Sequence, residues 1–241
     1  MTAEQRGGLN MKKIGTVGAV LVGKAVSYAR GSTSAIDKKV MNERLVVERL
    51  GFVNDEVGDL SVHGGIEKAL HIYPSEHYVE WQKDLGDNVM FQEVGAFGEN
   101  ISSLGLNEHT ICIEDKIRIG TTLLEVSQGR MPCWKLNERF DQHNMSLKLQ
   151  DTLRTGWYFR VLEEGEIGVG DEILLCERPY PDWSVARIMS LIFTGCLDKQ
   201  ALIQLLDLPL VDSWQRLVER RLANDVVEDW SFRLFGPMVQ N

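Results

Sequence analysis

The chain has 241 residues, 44% of them hydrophobic, with 26 Lys+Arg against 35 Asp+Glu and a formal net charge of -9. That length and apolar content build one large or two small domains with a proper core. The acidic balance, with no long basic run, argues against a nucleic-acid partner, so any anion site must be a local basic pocket.

The apolar stretches fall far short of a bilayer span, so no membrane partner is expected. The four cysteines, Cys112, Cys133, Cys176 and Cys196, form no CxxC pair. This excludes a zinc ribbon or thioredoxin motif, and so scattered a set points to a reducing, cytoplasmic location rather than a disulfide framework.

In chain order, Met1 to Asn10 is polar and lacks the apolar stretch of a signal peptide. Residues 1–11 are read as a disordered extension, with Met11-Lys12-Lys13 as an alternative start. From residue 12 to 28, the β-branched Ile14, Val17, Val20, Val22 and Val26 punctuated by glycines predict β structure. Short strands are expected around Leu45-Val46-Val47 and Phe52-Val53, and another from Ala69 to Tyr73. Pro74 then opens a helix with Tyr78, Trp81 and Leu85 on one face. Residues 98–127 read as β again, residues 133–154 as helix, and Trp157–Val161 and Glu172–Cys176 as closing strands. Many short strands with glycine turns and few long helices predict a β-barrel or compact β domain over residues 12–178.

The pattern changes at Pro179-Tyr180-Pro181. Ser184, Asp198 and Asp212 then stand as caps for three short amphipathic helices. Helices this short are not stable alone, so residues 183–235 are expected to pack as a small three-helix domain.

Cys133 is the most informative residue for chemistry. It lies in Gln128-Gly129-Arg130-Met131-Pro132-Cys133-Trp134-Lys135-Leu136, where a strand pattern turns into a helix. Proline suits the first helical position. A thiol in the first turn, with Arg130 and Lys135 close in sequence, favours thiolate, which is a nucleophile or a soft-metal ligand. A buried structural cysteine is the competing reading.

Other turns carry weaker signals. His63-Gly64-Gly65 with Lys68 can turn backbone N–H groups toward an anion, or be a tight solvated turn. Gly98-Glu99-Asn100 supplies an acid and an amide suited to a polar ligand, or groups that bond their own backbone. Gly31-Ser32-Thr33-Ser34 followed by Lys38-Lys39 is a phosphate loop or a flexible loop with a solvated charge pair. Asp141 and His143 make a Cys–His pair with Cys133 conceivable, although an exposed helix end serves as well. His71, His77 and His109 fit no common metal-ligand spacing.

Taken in order, Ser34-Ala35-Ile36, His63-Gly64-Gly65 with Lys68-Ala69-Leu70 and Tyr73, Phe97-Gly98-Glu99-Asn100-Ile101, and Ser127-Gln128-x-Arg130-x-Pro132-Cys133-x-Lys135-Leu136 resemble the MOSC family, the molybdenum-cofactor sulfurase C-terminal-type domains. The resemblance runs from residue 12 to about 235. It is strongest to the YiiM group, whose barrel is followed by a three-helix domain. It implies a barrel related to the pyruvate kinase barrel domain and a molybdenum cofactor of the molybdopterin type, a pterin dithiolene with a phosphate tail.

The activity it implies is reduction of N-hydroxylated compounds such as 6-N-hydroxylaminopurine and related base analogues, a detoxification. The family's molybdenum-ligating cysteine falls on Cys133, in keeping with a soft thiolate ligand. The Gly-Glu-Asn turn falls on Gly98, Glu99 and Asn100, with Asn100 as the expected cofactor contact. Ser34, His63, Lys68 and Arg130 are the expected contacts to the pterin or its anionic tail. Gly129 stands where relatives often have proline, Trp134 where tyrosine is common, and Glu114-Asp115 where Gly-Asp is typical.

The chain carries no Rossmann fingerprint and no Fe–S cysteine cluster, so electrons are expected from a separate protein, a flavoprotein reductase or similar donor. Two other functions compete: a cofactor or sulfur carrier without reductase activity of its own, and a metal-free thiol enzyme using Cys133 with His143.

Overall fold

A computed structural model describes residues 11–59 and 63–237. The extension expected at residues 1–10 lies outside the described residues.

The chain enters on β1 (Lys12–Val22), then forms β2 (Val26–Ser27), β3 (Thr33–Ser34), β4 (Lys39–Met41), β5 (Leu45–Glu48) and β6 (Gly51–Phe52). After the His63 turn come β7 (Leu70–Pro74), α1 (Glu76–Leu85), β8 (Ile101–Leu104), β9 (Lys116–Ile119) and β10 (Thr122–Gly129). Two helices, α2 (Lys135–Phe140) and α3 (Met145–Thr152), precede β11 (Trp157–Glu163), β12 (Gly165–Ile167) and β13 (Glu172–Glu177). Last are α4 (Val185–Phe193), α5 (Lys199–Leu206), α6 (Asp212–Asn224) and α7 (Ser231–Phe235).

The main sheet runs β13-β9-β10-β11-β7-β8-β1, and β13 pairs with β1 to close the ring. The strand β4 hangs on β1 outside it. Closure leaves no ring strand with an open hydrogen-bonding edge. Within the ring, β7 and β8 pair in parallel and the other neighbours antiparallel. A parallel pair needs a crossover, and the crossover here holds α1 and the Gly98 turn.

The ring is filled by inward β-branched and aromatic side chains, among them Val17, Ile72, Ile117, Ile119, Val126, Trp157 and Phe159. Removing one such fully buried aromatic typically costs about 3–5 kcal/mol. The helical domain continues this core. Val185, Ile188, Met189 and Ile192 of α4 belong to the same apolar cluster as the barrel strands. Gly129, at the end of β10, explains the fit: a Cβ there would sit 1.8 Å from Met189 Sδ. A second cluster packs Tyr73, Tyr78, Trp81, Phe91, Phe97 and Phe140 between α1, the Gly98 turn and α2.

Four expectations need revision. The helix read over residues 133–154 is two helices, because Asp141 adopts a left-handed φ of 49° that ends α2. Its start is later than Pro132: α2 begins at Lys135, and Cys133 stands just ahead of it. The helix after Pro74 begins at Glu76, with Pro74 itself closing β7. The caps at Ser184 and Asp198 form as read, accepting from Arg187 N and Ala201 N, whereas Asp212 is the first residue of its helix rather than the cap. The short helix α7 carries no strong sequence signal.

Candidate functional site

Several parts of the chain converge on one cleft: β3 and its continuation through Lys38, residues 55–59, residues 63–68, the Gly98 turn ahead of β8, and residues 130–135 after β10. The cleft has a cavity volume of about 130 Å³ and opens to solvent. Ser34, His63, Lys68, Gly98, Asn100, Arg130 and Cys133 all stand on its wall.

Local geometry explains why these turns meet. Gly98 has a φ of 73°, and a Cβ there would lie 2.8 Å from Ile36 Cγ1, so only glycine lets this turn press against the Ser34-Ala35-Ile36 segment. Asn100 ties three elements together. Its Oδ1 accepts from His71 N at 3.1 Å, and its Nδ2 donates to Asp55 Oδ2 at 2.8 Å and Leu21 O at 3.3 Å. Asp55 also takes the buried ammonium of Lys38 at 2.5 Å. Burial pulls the Lys38 pKa down, opposed by the Asp55 charge. Lys135, also buried, donates to Thr33 O at 2.7 Å and fastens the Cys133 segment to β3.

Glu99 behaves differently from its neighbours. It is fully buried and not on the cleft wall. Its carboxylate accepts from Tyr78 OH at 2.6 Å, Gly95 N at 2.7 Å and Phe97 N at 3.2 Å, closing the turn from beneath. Burial raises its pKa, and the hydrogen bonds oppose that rise. Its position is that of a turn-former, while the adjacent Asn100 faces the cleft.

The cleft wall carries Lys38, Lys68, Arg130 and Lys135 against Asp55, Glu56 and Asp59. Burial lowers the His63 pKa to about 4, helped by the charges of Lys135, Lys68 and Arg130. His71, fully buried beside Tyr158 at 5.0 Å between ring centroids, is held well below its ordinary value by burial and by Arg130. Both imidazoles are therefore neutral at pH 7. Burial also pulls Lys68 down, with Arg233 adding to the fall and Cys133 opposing it. Arg130 is 7% exposed, and its Nη1 has no hydrogen-bond partner among the described residues. The other buried side-chain atoms in that condition are hydroxyl, amide or indole groups away from the cleft. A buried guanidinium N–H with no acceptor is expensive unless a ligand supplies one.

These residues fit a group that combines a soft metal with an anion. Cys133 offers a sulfur ligand on the wall, and Arg130 offers an unmet donor beside it. Among the described residues no cluster of three or more His, Cys, Asp or Glu could hold a metal by itself, so metal would come with a carrier that fills the remaining positions. His143 is exposed, lies between α2 and α3, and is not on the cleft wall; the structure does not bring it together with Cys133 there.

Several wall residues were not singled out from sequence. Asp55, His71 and Tyr158 have no local motif, and Lys38 read as a solvated charge. Among the described residues no helix is long and apolar enough to cross a membrane.

Comparison with known proteins agrees with this architecture. Residues 59–174 match the MOSC domain, and residues 183–225 match the YiiM-like, 3-alpha helix domain. The chain is 34% identical to Protein YiiM of Escherichia coli (strain K12) over 90% of this chain and 97% of that one. It is 36% identical to a protein of Gibberella moniliformis named Reductase, over 88% of this chain but only 38% of that longer protein. Crystal structures of YiiM from Geobacillus stearothermophilus (33% identity, TM-score 0.74, 86% of this chain and 99% of that one) and from Escherichia coli (29% identity, TM-score 0.77, 92% and 99%) share the fold. The chain therefore belongs to the MOSC family, in its YiiM-like form with a barrel followed by a three-helix domain.

Proposed function

We propose that this protein is a molybdenum-cofactor-dependent reductase of N-hydroxylated compounds such as 6-N-hydroxylaminopurine. The observation that carries the reading is the presence of Cys133 and of Arg130, with its unmet Nη1, on the wall of one cleft. MOSC domains are associated with molybdenum-cofactor binding in general, and a relative bears the name Reductase.

In this reading Cys133 supplies the protein's sulfur ligand to the metal. Arg130 and Lys68 hold the anionic tail, with Ser34 and Asn100 lining its path. The bound cofactor would supply two-electron oxygen-atom chemistry. The overall reaction takes two electrons and two protons, breaks the N–O bond and releases an amine and water. The sequence carries neither a Rossmann fingerprint nor an Fe–S cysteine cluster, so a separate flavoprotein is the proposed donor. The neutral His63, with its low pKa, can donate a hydrogen bond to the substrate hydroxyl without adding a fixed charge. Lys38, Asp55 and Asn100 hold the wall in register so that this geometry does not drift.

The test is elemental analysis and turnover in one preparation. Protein expressed in a cofactor-competent host is expected to carry stoichiometric molybdenum and to reduce 6-N-hydroxylaminopurine when an electron donor is supplied. Cys133→Ser is expected to lose the metal and at least a hundredfold of the activity. Stoichiometric molybdenum retained in that variant overturns the ligand assignment. Bound cofactor with no donor-dependent turnover points instead to a carrier.

A further inference from the structure

Two cleft residues, His71 and Arg130, are tied to one short junction, residues 154–156, between α3 and β11. Tyr73 OH donates to Arg154 O at 3.1 Å, His71 Nε2 to Thr155 O at 3.3 Å, and Arg130 N to Gly156 O at 3.0 Å. A fourth bond runs outward: Gly156 N donates to Glu108 Oε1 at 2.7 Å. Gly156 has a φ of 70°, and a Cβ there would lie 2.3 Å from Ile72 O and 2.7 Å from His71 Nε2. Only glycine lets the junction come this close to His71.

Glu108 anchors the junction. It is 1% exposed, and its Oε2 accepts from His77 Nε2 of α1 at 2.8 Å. Its main-chain O accepts from Ala186 N, in the first turn of α4, at 2.8 Å. One residue is thus tied to α1, to the helical domain and to the junction. His77 is itself held edge-on by the Tyr73 ring, at 5.3 Å between centroids. A buried carboxylate is costly unless donors meet it. The donors that meet this one make charge-assisted bonds, the shorter and stronger kind.

Neither Glu108 nor His77 lines the Cys133 cleft. Both line a separate cavity of about 340 Å³. Any effect of Glu108 on the cleft therefore passes through Gly156. What it would act on matters: Arg130 carries the unmet Nη1, and misplacing a binding group by about 1 Å can cost about a hundredfold.

We propose that Glu108 is a positioning residue for the cleft: acting through Gly156, it sets where Arg130 and His71 stand. The proposal rests on the reading of this cleft as an anion site, but not on molybdenum or on any turnover. A packing role alone would ask only that the space of Glu108 be filled. Positioning asks for an acceptor that meets Gly156 N.

The test uses the full chain without cofactor, with inorganic phosphate as the probe and calorimetry as the measure of binding. Arg130→Met should abolish that binding, which identifies the cleft as the site. Glu108→Ala is expected to weaken it about tenfold, as for other residues that act through a neighbour. Glu108→Gln should bind as the parent does, because its carbonyl still accepts from Gly156 N and its amide can donate to His77 in the other tautomer. Leu202→Ala opens a cavity in the core of the helical domain and supplies a matched loss of thermal midpoint; it should leave phosphate affinity unchanged. The chain has five histidines, so the His71 imidazole resonance can be assigned through His71→Gln. That resonance should move in Glu108→Ala and keep its place in Glu108→Gln. If Glu108→Ala does not fold, Glu108→Asp replaces it with the same expectations, since it keeps the charge but is one methylene too short to reach Gly156 and His77 together.

Parent-like phosphate binding in Glu108→Ala overturns the proposal. So does an equal loss in Leu202→Ala, or a failure of Glu108→Gln to restore binding. A parent that binds no phosphate, or whose binding survives Arg130→Met, overturns the anion reading of the cleft instead. The His71 resonance then decides the positioning role by itself: moved in Glu108→Ala, the role stands; unmoved, it falls.

Discussion

Two buried arginines divide the molecule between structure and site. Arg221 in the helical domain is 1% exposed and Arg130 in the cleft is 7% exposed, so both have given up most of their water. Each nitrogen of Arg221 has found a partner: Nη2 and Nη1 donate to Ile192 O and Leu191 O, and Nε and Nη2 form a bidentate pair with Glu228. Arg130 has not, since its Nη1 is left without a partner among the described residues. The contrast teaches how to tell a brace from a binding group of the same type. A brace has every donor matched within the chain, whereas a binding group retains a desolvated donor that a ligand completes.

The widest separation between the two should come from stability. Arg221→Met leaves Glu228, Trp230 and two carbonyls without their cation and is expected to cost about 3 kcal/mol, as for other broken buried pairs. Thermal melts should show a midpoint about 6–12 °C lower for a chain of this size. A shift under a degree would mean that the network is not a brace.

His63 gives the next largest effect and a pH signature. Its folded pKa of about 4 lies below the ordinary 6.5, so the unfolded chain binds a proton first as pH falls. Its effect is absent above pH 6.5, destabilises progressively as pH falls from 6.5 toward 4, and amounts to about 3 kcal/mol at the acid end. Denaturant titrations of the parent and His63→Gln should converge at pH 7 and separate at pH 4.5, with the parent losing more. Parallel curves would show that the imidazole is not held neutral. An anion bound in the cleft should reduce the separation by raising the His63 pKa.

The smallest stability change is expected for Arg130→Met. Removing a buried cation whose donor is unmet should leave the ligand-free melting midpoint within about 1 kcal/mol of the parent, or raise it. The same change should weaken cofactor retention tenfold or more, read as molybdenum per chain after dialysis. A large loss of ligand-free stability would place Arg130 with Arg221 as a brace.

How much of this was legible differs by element. The barrel strands announce themselves through β-branched runs broken by glycine, and Ser184 and Asp198 announce helix starts through cap chemistry that is local in the chain. The Gly98-Glu99-Asn100 turn was legible as a turn, but its two polar residues were not separable by type. Consecutive residues entering a strand point to opposite faces, so Asn100 meets the cleft while Glu99 sinks beneath the turn. The helix start at Pro132 misled for a nonlocal reason: Trp134 N is taken by Arg233 O, from a part of the chain far away in sequence. The C-terminal segment around α7 has no amphipathic stripe or motif, because what holds it is mostly its main-chain carbonyls accepting from other elements.

The sequence by itself determined the order of strands and helices, the four motif-bearing turns and Cys133 as the sulfur of interest, because propensity, turn chemistry and motif spacing act over a few residues. Only the tertiary structure decided that Lys38 is a buried partner of Asp55, that Arg130 keeps an unmet donor, and that the C-terminal segment meets Trp134, the residue beside Cys133. Those facts depend on desolvation and on partners distant in the chain, and both are set by closure of the barrel and docking of the helices rather than by any local stretch of sequence.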